Sequence, residues 1–213
     1  MTEQLMNRFL TARRKYIAGQ FSNLNPMQRE AALTTEGPLL LLAGAGSGKT
    51  TVLIHRIANL MRFGAGSDPS VFDIPDTVTE EDVKFLENIG PDAANYEHSR
   101  AEFMCALRPA LPWSIIAITF TNKAAGELKA RLEVAGGEQG RDIWAHTFHT
   151  ACTRILRRYI ERLGYSQNFT IYDEDDKKRL MVSVIRDFGF DEKRFDPKGV
   201  SREISRAKDE LLN

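Results

Sequence analysis

A chain of 213 residues is one large domain or two small ones, and 42% hydrophobic residues is the balance of an ordinary soluble protein. No apolar stretch approaches the roughly 20 residues of a membrane span. The N-terminus lacks the apolar region of a signal peptide, and Cys105 and Cys152 show no metal or redox spacing, so a cytoplasmic location without a membrane partner is expected. The net charge of zero hides an asymmetry. Residues 1–63 hold eight basic and three acidic side chains (+5), residues 64–112 three and ten (−7), and residues 113–213 eighteen and sixteen (+2). The mildly basic remainder permits nucleic-acid binding without demanding it.

In chain order, Leu5 to Ile17 reads as a basic amphipathic helix. Asn25-Pro26 is a helix start, a capping side chain followed by proline at the first helical position, and that helix runs to about Leu33. An apolar strand over 38–43 runs into a glycine-rich loop that opens a helix over 49–62. Gly64 to Ser70 reads as a flexible stretch, followed by helices over Glu80–Asn88 and Tyr96–Leu107 that should pack through Phe85, Leu86, Phe103 and Leu107. Ser114 to Thr119 is a second strand, Asn122 to Glu133 a helix, Ile143 to Thr147 a third strand, and Phe148–Leu163 a basic helix. Helices over Glu174–Phe188 and Lys198–Leu212 complete the chain. Strands alternating with helices predict an α/β fold with a parallel sheet flanked by helices. Three strands are few for a sheet that must bury both faces, so a piece of a longer protein is expected.

The loop carries the strongest chemistry. Residues 43–50 have the form A-x-x-x-x-G-K-T of a phosphate-binding loop. Backbone N–H groups of Ala45, Gly46, Ser47, Gly48 and Thr51 can point into one concavity, which glycines let a phosphate approach closely. Lys49 supplies a cation for the β and γ phosphates, the Thr50 hydroxyl can ligate Mg²⁺, and the new helix adds its positive end. ATP and Mg²⁺ are the expected cofactors, with Lys49 and Thr50 as the catalytic pair.

Other residues leave alternatives open. Gln28 can pair with adenine through its amide or can be a solvated helix residue. Phe120 follows a strand at the end where α/β folds bind ligands, so it either stacks on a nucleobase or fills the core. His146 and His149 lack a convincing third ligand, which favours polar contacts to phosphate or sugar over a metal. Arg154, Arg157, Arg158 and Arg162 form a solvated face or track a nucleic-acid backbone. Asp173-Glu174, after the apolar Phe169 to Tyr172, imitates the acidic pair that holds Mg²⁺ in ATPases. Acids at the three following positions favour a helix N-cap with a charge-matched first turn.

Together these segments resemble the N-terminal part of UvrD/Rep/PcrA-type superfamily 1 DNA helicases. Residues 24–28 resemble the adenine-reading Q motif, 43–51 motif I, 119–125 motif Ia and 147–152 motif Ib. Residues 169–176 and 204–211 resemble parts of the helical subdomain inserted into the first motor domain. The resemblance implies a RecA-like ATP-binding motor over 1–147, with residues 64–112 as an acidic insertion, and an incomplete helical DNA-binding subdomain over 148–213. It implies an ATP-driven 3′-to-5′ translocase on single-stranded DNA, with Gln28 on adenine and Phe120, Asn122, Thr147 and His149 on the DNA. It places the Mg²⁺-binding Asp-Glu motif and the γ-phosphate arginines outside these 213 residues, so the piece alone is expected to be inactive. Two rival readings are the helicase portion of a helicase–nuclease and another P-loop ATPase. The insertion, with its −7 balance, is expected to lie away from ATP and DNA, as a dock for a basic protein partner or as a solvated decoration.

Overall fold

A computed structural model describes residues 2–44, 46–75, 77–191 and 193–212. The chain divides into two compact units, Met1–Arg154 and Ile155–Asn213.

In the first unit, α1 (Glu3–Gln20) starts at Thr2, whose hydroxyl accepts from Leu5 N–H. The second helix, α2 (Pro26–Leu33), carries a full capping box: Asn25 accepts from Gln28 N–H, and the Gln28 side chain accepts from Asn25 N–H. After the glycine-rich loop comes α3 (Lys49–Phe63). It ends at Gly64, whose φ of 57° and whose closeness to Leu107 require glycine, because an added Cβ would lie 2.1 Å from the Leu107 carbonyl oxygen. At this point the insertion is sealed at its own root. Ala65 N–H donates to Leu107 O at 2.8 Å, and Leu107 N–H donates to Phe63 O at 3.0 Å.

The expected flexible stretch is therefore an ordered stem. Residues 65–67 form a 3-10 turn, and Ala65 to Asp68 are buried. Beyond it, α4 (Glu80–Asn88) has a capping box between Thr79 and Asp82, and α5 (Asn95–Cys105) follows. These helices pack on the N-terminal helix. One core joins Phe9, Tyr16 and Ile17 of α1 to Phe21, Phe63, Val83, Leu86, Ala101 and Cys105. The docking face of α5 differs from the expected one. Ala101 and Cys105 are buried, whereas Phe103 is 84% exposed, because the small residues let α5 approach closely. Phe85 packs against this core only partly buried, and Leu107 serves in the stem through its backbone.

The sheet in the described residues has two strands, β1 (Ile116–Thr119) and β2 (Trp144–Thr147), which are parallel and in register from Ile116↔Trp144 to Thr119↔Thr147. They are joined by α6 (Asn122–Gly136). One sheet face packs on α3 and α6 through Ile54, Ile57, Ala117, Leu128, Leu132, Ile143 and Ala145. The alternate residues Ile116 and Ile118 remain exposed. Residues 38–43, expected as the first strand, form no regular element and have no ladder partner among the described residues, and Leu40 and Leu42 are 81% and 89% exposed. A strand exists through its neighbours' hydrogen bonds, and neither β1 nor β2 pairs with this one.

The helix α7 (Phe148–Tyr159) continues as a 3-10 turn over Ile160–Leu163, closed by Gly164. Two further helices complete the second unit, α8 (Glu174–Asp187) and α9 (Pro197–Asp209). Residues 169–172 form no strand. Asp173 caps α8, accepting from Asp176 N–H at 2.8 Å, with Glu174, Asp175 and Asp176 in the first turn. This acidic pair is a helix start. The arginine row lies against rings within the chain, Arg157 over Phe169 and Arg158 and Arg162 over Tyr159.

Candidate nucleotide and nucleic-acid site

The glycine-rich loop is shaped by its own backbone. Gly46 and Gly48 take φ of 76° and 86°, values closed to most side chains. Gly48 is the N-cap of α3 and offers no side chain, so the first-turn N–H groups of the helix have neither an intrahelical acceptor nor a side-chain cap. Ser47 folds inward, its hydroxyl donating to Gly44 O at 2.8 Å. The Lys49 ammonium returns over the loop and donates to the Ala43 and Gly44 carbonyls at 2.9 and 2.6 Å. Thr50 is exposed and Thr51 half-buried at the start of α3. Ala45 lies outside the described residues.

Gln28 reaches this loop from α2. Its Nε2 donates to Ser47 O at 3.1 Å while its Oε1 serves the α2 cap. A Cβ at position 48 would lie 2.6 Å from that nitrogen, so a side chain there would push the Gln28 amide aside, and the φ of 86° favours glycine in any case. Gln28 is thus neither a freely solvated residue nor one with both amide groups open: one N–H and part of the carbonyl's capacity remain for a ligand. These groups fit a Mg²⁺-nucleotide. Free N–H donors and an ammonium suit phosphate oxygens, and an exposed hydroxyl suits a hard cation.

The second cluster lies at the C-terminal ends of β1 and β2. Thr119 and Thr147 are paired in register, so the residues that follow them, Phe120 and Phe148, leave the sheet at the same level. Phe120 is fully exposed and Phe148 59% exposed. This removes the core reading of Phe120. Thr121 caps α6 by accepting from Ala124 N–H, which puts Asn122 in the first turn, exposed. Thr147 is buried and does the same for α7, accepting from Thr150 N–H at 3.3 Å and sharing a 2.9 Å contact with the Thr150 hydroxyl. Its hydroxyl is committed to the helix start, whereas His149, two residues on in the first turn of α7, is exposed.

His146 faces Arg154, whose guanidinium donates to its Nε2 at 2.7 Å and stacks on Trp144. Burial first, then Arg154 and Lys129, hold the His146 pKa below its usual value. No group of three possible metal ligands lies together among the described residues.

The sequence repeats one pattern, a hydroxyl followed by an aromatic, at both strand ends, 119–120 and 147–148, but gives no reason within itself to assign Phe148 a role beside Phe120.

A family model for the UvrD/REP helicase N-terminal domain matches residues 24–72 and 103–213. The chain is 42% identical over 197 residues to the ATP-dependent DNA helicase PcrA of Bacillus subtilis, covering 92% of this chain and 21% of the relative. It is 42% identical over 189 residues to PcrA of Staphylococcus epidermidis and 39% over 190 residues to PcrA of Staphylococcus aureus, in each case covering 89% of this chain and 20% of the relative. It therefore spans about a fifth of the length of the curated relatives it matches. With three quarters of its residues inside the family model, the chain belongs to the UvrD/REP helicase family, as part of its N-terminal domain.

Proposed function

We propose that this chain is the ATP-binding N-terminal part of an ATP-dependent DNA helicase that moves along single-stranded DNA, with 3′-to-5′ polarity resting on the family resemblance alone. Residues 1–147 are read as part of a RecA-like motor whose sheet includes the segment 38–43, and residues 148–213 as the start of a helical DNA-binding subdomain. The location is read as cytoplasmic; no described helix is long and apolar enough to cross a membrane.

The observation that carries the reading is the loop itself. Lys49, the uncapped start of α3 and Gln28 converge on residues 43–48. In this reading the first-turn amides and Lys49 hold the β and γ phosphates, Lys49 exchanging its two carbonyl partners for phosphate oxygens. Thr50 ligates Mg²⁺, and Gln28 turns its remaining amide capacity to adenine. The bound metal supplies charge neutralisation at the phosphates. At the strand ends, Phe120 and Phe148 offer base-stacking surfaces, with Asn122 and His149 beside them for the phosphate–sugar backbone; Thr147 shapes this edge by capping α7. Asp173 and Glu174 take no part, being spent on the start of α8.

Calorimetric titration of Mg²⁺-ADP into the native chain and into Lys49→Ala tests the reading. At least tenfold weaker binding by Lys49→Ala is expected, and equal affinity in the two chains would sink it.

A further inference from the structure

Residues 31–36, the end of α2 and the chain leaving it towards the phosphate loop, are gripped by side chains that belong to none of the motifs. Asp68 is 2% exposed, and its carboxylate accepts hydrogen bonds on both oxygens. One carboxylate oxygen accepts from the backbone N–H groups of Thr35 and Glu36 at 2.6 and 2.9 Å and, more distantly, from the Thr35 hydroxyl at 3.5 Å. The other accepts from the backbone N–H and the hydroxyl of Ser70 at 2.9 and 2.5 Å. Beside it, the buried Asn59 amide donates to Ala32 O and to the Ser67 hydroxyl, which donates on to Leu33 O. Arg56 donates to Ala31 O at 3.0 Å and to Thr35 O at 3.5 Å.

Arg56 and Asn59 stand on α3, and Ser67 and Asp68 follow it in the ordered stem of the insertion. The same helix begins with Lys49 and Thr50. The chain enters the phosphate loop from residues 31–42 and leaves it into α3, so these side chains fasten the entering arm to the leaving arm. The fastening matters because the arm over 38–43 has no ladder partner among the described residues. Its placement depends on what holds its two ends: this network on one side and the contacts of Gln28 and Lys49 on the other.

We infer that Asp68, together with Arg56, is a positioning residue for nucleotide binding, fixing how the chain approaches the loop at 43–48. The inference rests on the reading of that loop as the nucleotide site. It also assigns the insertion two parts: helices α4 and α5 that pack on α1, and a root that reaches the arm of the site. Burial works to raise the Asp68 pKa but is outweighed by the hydrogen bonds from Ser70, Glu36 and Thr35, which bring it down to about 2. The carboxylate is therefore charged at any pH where nucleotide binding would be measured.

The test uses the 213-residue chain, fluorescent Mg²⁺-ADP titration and amide hydrogen exchange, at a temperature where circular dichroism shows each variant folded. A small misplacement of binding groups costs about tenfold or more. Asp68→Ala is expected to weaken nucleotide binding at least tenfold and to speed exchange at residues 34–36, whose N–H groups are hydrogen-bonded in the fold, without speeding it in α5. Asp68→Asn keeps one acceptor oxygen of the two and should fall between. Affinity within twofold of the native chain in folded Asp68→Ala, or exchange at 34–36 left unchanged, overturns the inference. Should Asp68→Ala fail to fold, Asp68→Asn and Arg56→Gln provide the same comparison. If the native chain and Lys49→Ala bind nucleotide equally, the reading of the loop fails instead, and exchange at 34–36 still decides whether Asp68 holds the arm.

Discussion

The first unit holds two cores of different completeness. Around α1, α2, α4 and α5, side chains from five segments close on one another, and Phe9, Ile17, Phe63, Val83, Ala101 and Cys105 are fully buried. Around β1 and β2, only one face is covered; Ile116 and Ile118 stand exposed, as do Leu40 and Leu42 of the neighbouring arm. The helical core completes itself from local contacts, each helix hydrogen-bonded within itself. A parallel sheet cannot do this, because every strand needs neighbours on both sides and layers on both faces. In the proposed reading, stability and function are accordingly separated in this unit: the closed core carries the first, and the open edge leaves Phe120 and Phe148 exposed for a ligand.

The largest test of that contrast is a pair of truncations. Phe63→Ala in the helical core is expected to cost about 3–5 kcal/mol, whereas Leu40→Ala, at an exposed position, should change stability by less than about 0.5 kcal/mol. Urea unfolding of both variants decides, and similar losses would erase the distinction.

Alkali should find the helical core next. Burial first, then Glu102 and Cys105, raise the Tyr16 pKa to about 12, with Arg62 opposing; burial, opposed by Arg13 and assisted by Glu102, raises Cys105 to about 12. Both groups are neutral in the fold. Their contribution is therefore complete below their unfolded values, about 10 for tyrosine and 8.5 for cysteine, and is lost as pH rises through the folded values near 12. For Tyr16 the loss is on the order of 2 kcal/mol. The melting temperature should fall between roughly pH 9 and 12, with a smaller fall in Tyr16→Phe; an identical fall in that variant would assign the effect elsewhere. His146 has the opposite sign. Its lowered pKa gives a contribution present above its unfolded value of about 6.5 and lost as pH falls through the folded one.

The sheet edge should respond in binding and not in stability. Replacing Phe120 or Phe148 by Ala should leave the melting temperature in place while removing about 1–3 kcal/mol of single-stranded DNA affinity per stacked base. Fluorescence anisotropy at several salt concentrations reads this, since phosphate contacts weaken as salt rises. Unchanged affinity in both variants would take this edge out of the DNA path. The smallest expected effect is Asp173→Ala, about 1 kcal/mol from the lost α8 cap. It should leave nucleotide affinity untouched; a loss of nucleotide binding there would restore the acidic pair as a metal site.

What was legible in the sequence followed the range of the interactions involved. Helices carry their instructions within a turn or two: Asn25-Pro26 and Asp173 with its acids marked α2 and α8 within a residue. The glycine-rich turn into α3 was equally plain, because glycines with positive φ and the following Lys-Thr are a local pattern. The failures were long-range. Nothing within residues 64–70 announces that they are roofed by residues 105–107, and the glycines that suggested flexibility are there because two backbones touch. Phe103 misled because an aromatic in a helix suggests core, whereas α5 docks through alanine and cysteine. Gln28 was seen as a ligand reader or a bystander, and its third task, joining the α2 cap to the Ser47 carbonyl, needed the fold to appear.

The family model leaves out residues 1–23 and 73–102, and these two unmatched stretches pack on each other. Arg8 of α1 makes ion pairs with Glu80 and Glu87 of α4, and the buried Arg13 donates to the Val71 and Asp73 carbonyls, so the acidic excess of the insertion meets its counter-charge within the same chain. In evolutionary terms such a pair is expected to be inherited as one character. A lineage that lost the insertion would strip the apolar face of α1, and one that lost α1 would bare Val83 and Leu86 and leave the acids of α4 without Arg8. Related chains are thus expected to carry both or neither, and the charges along α1 should drift in step with those of the helix it covers.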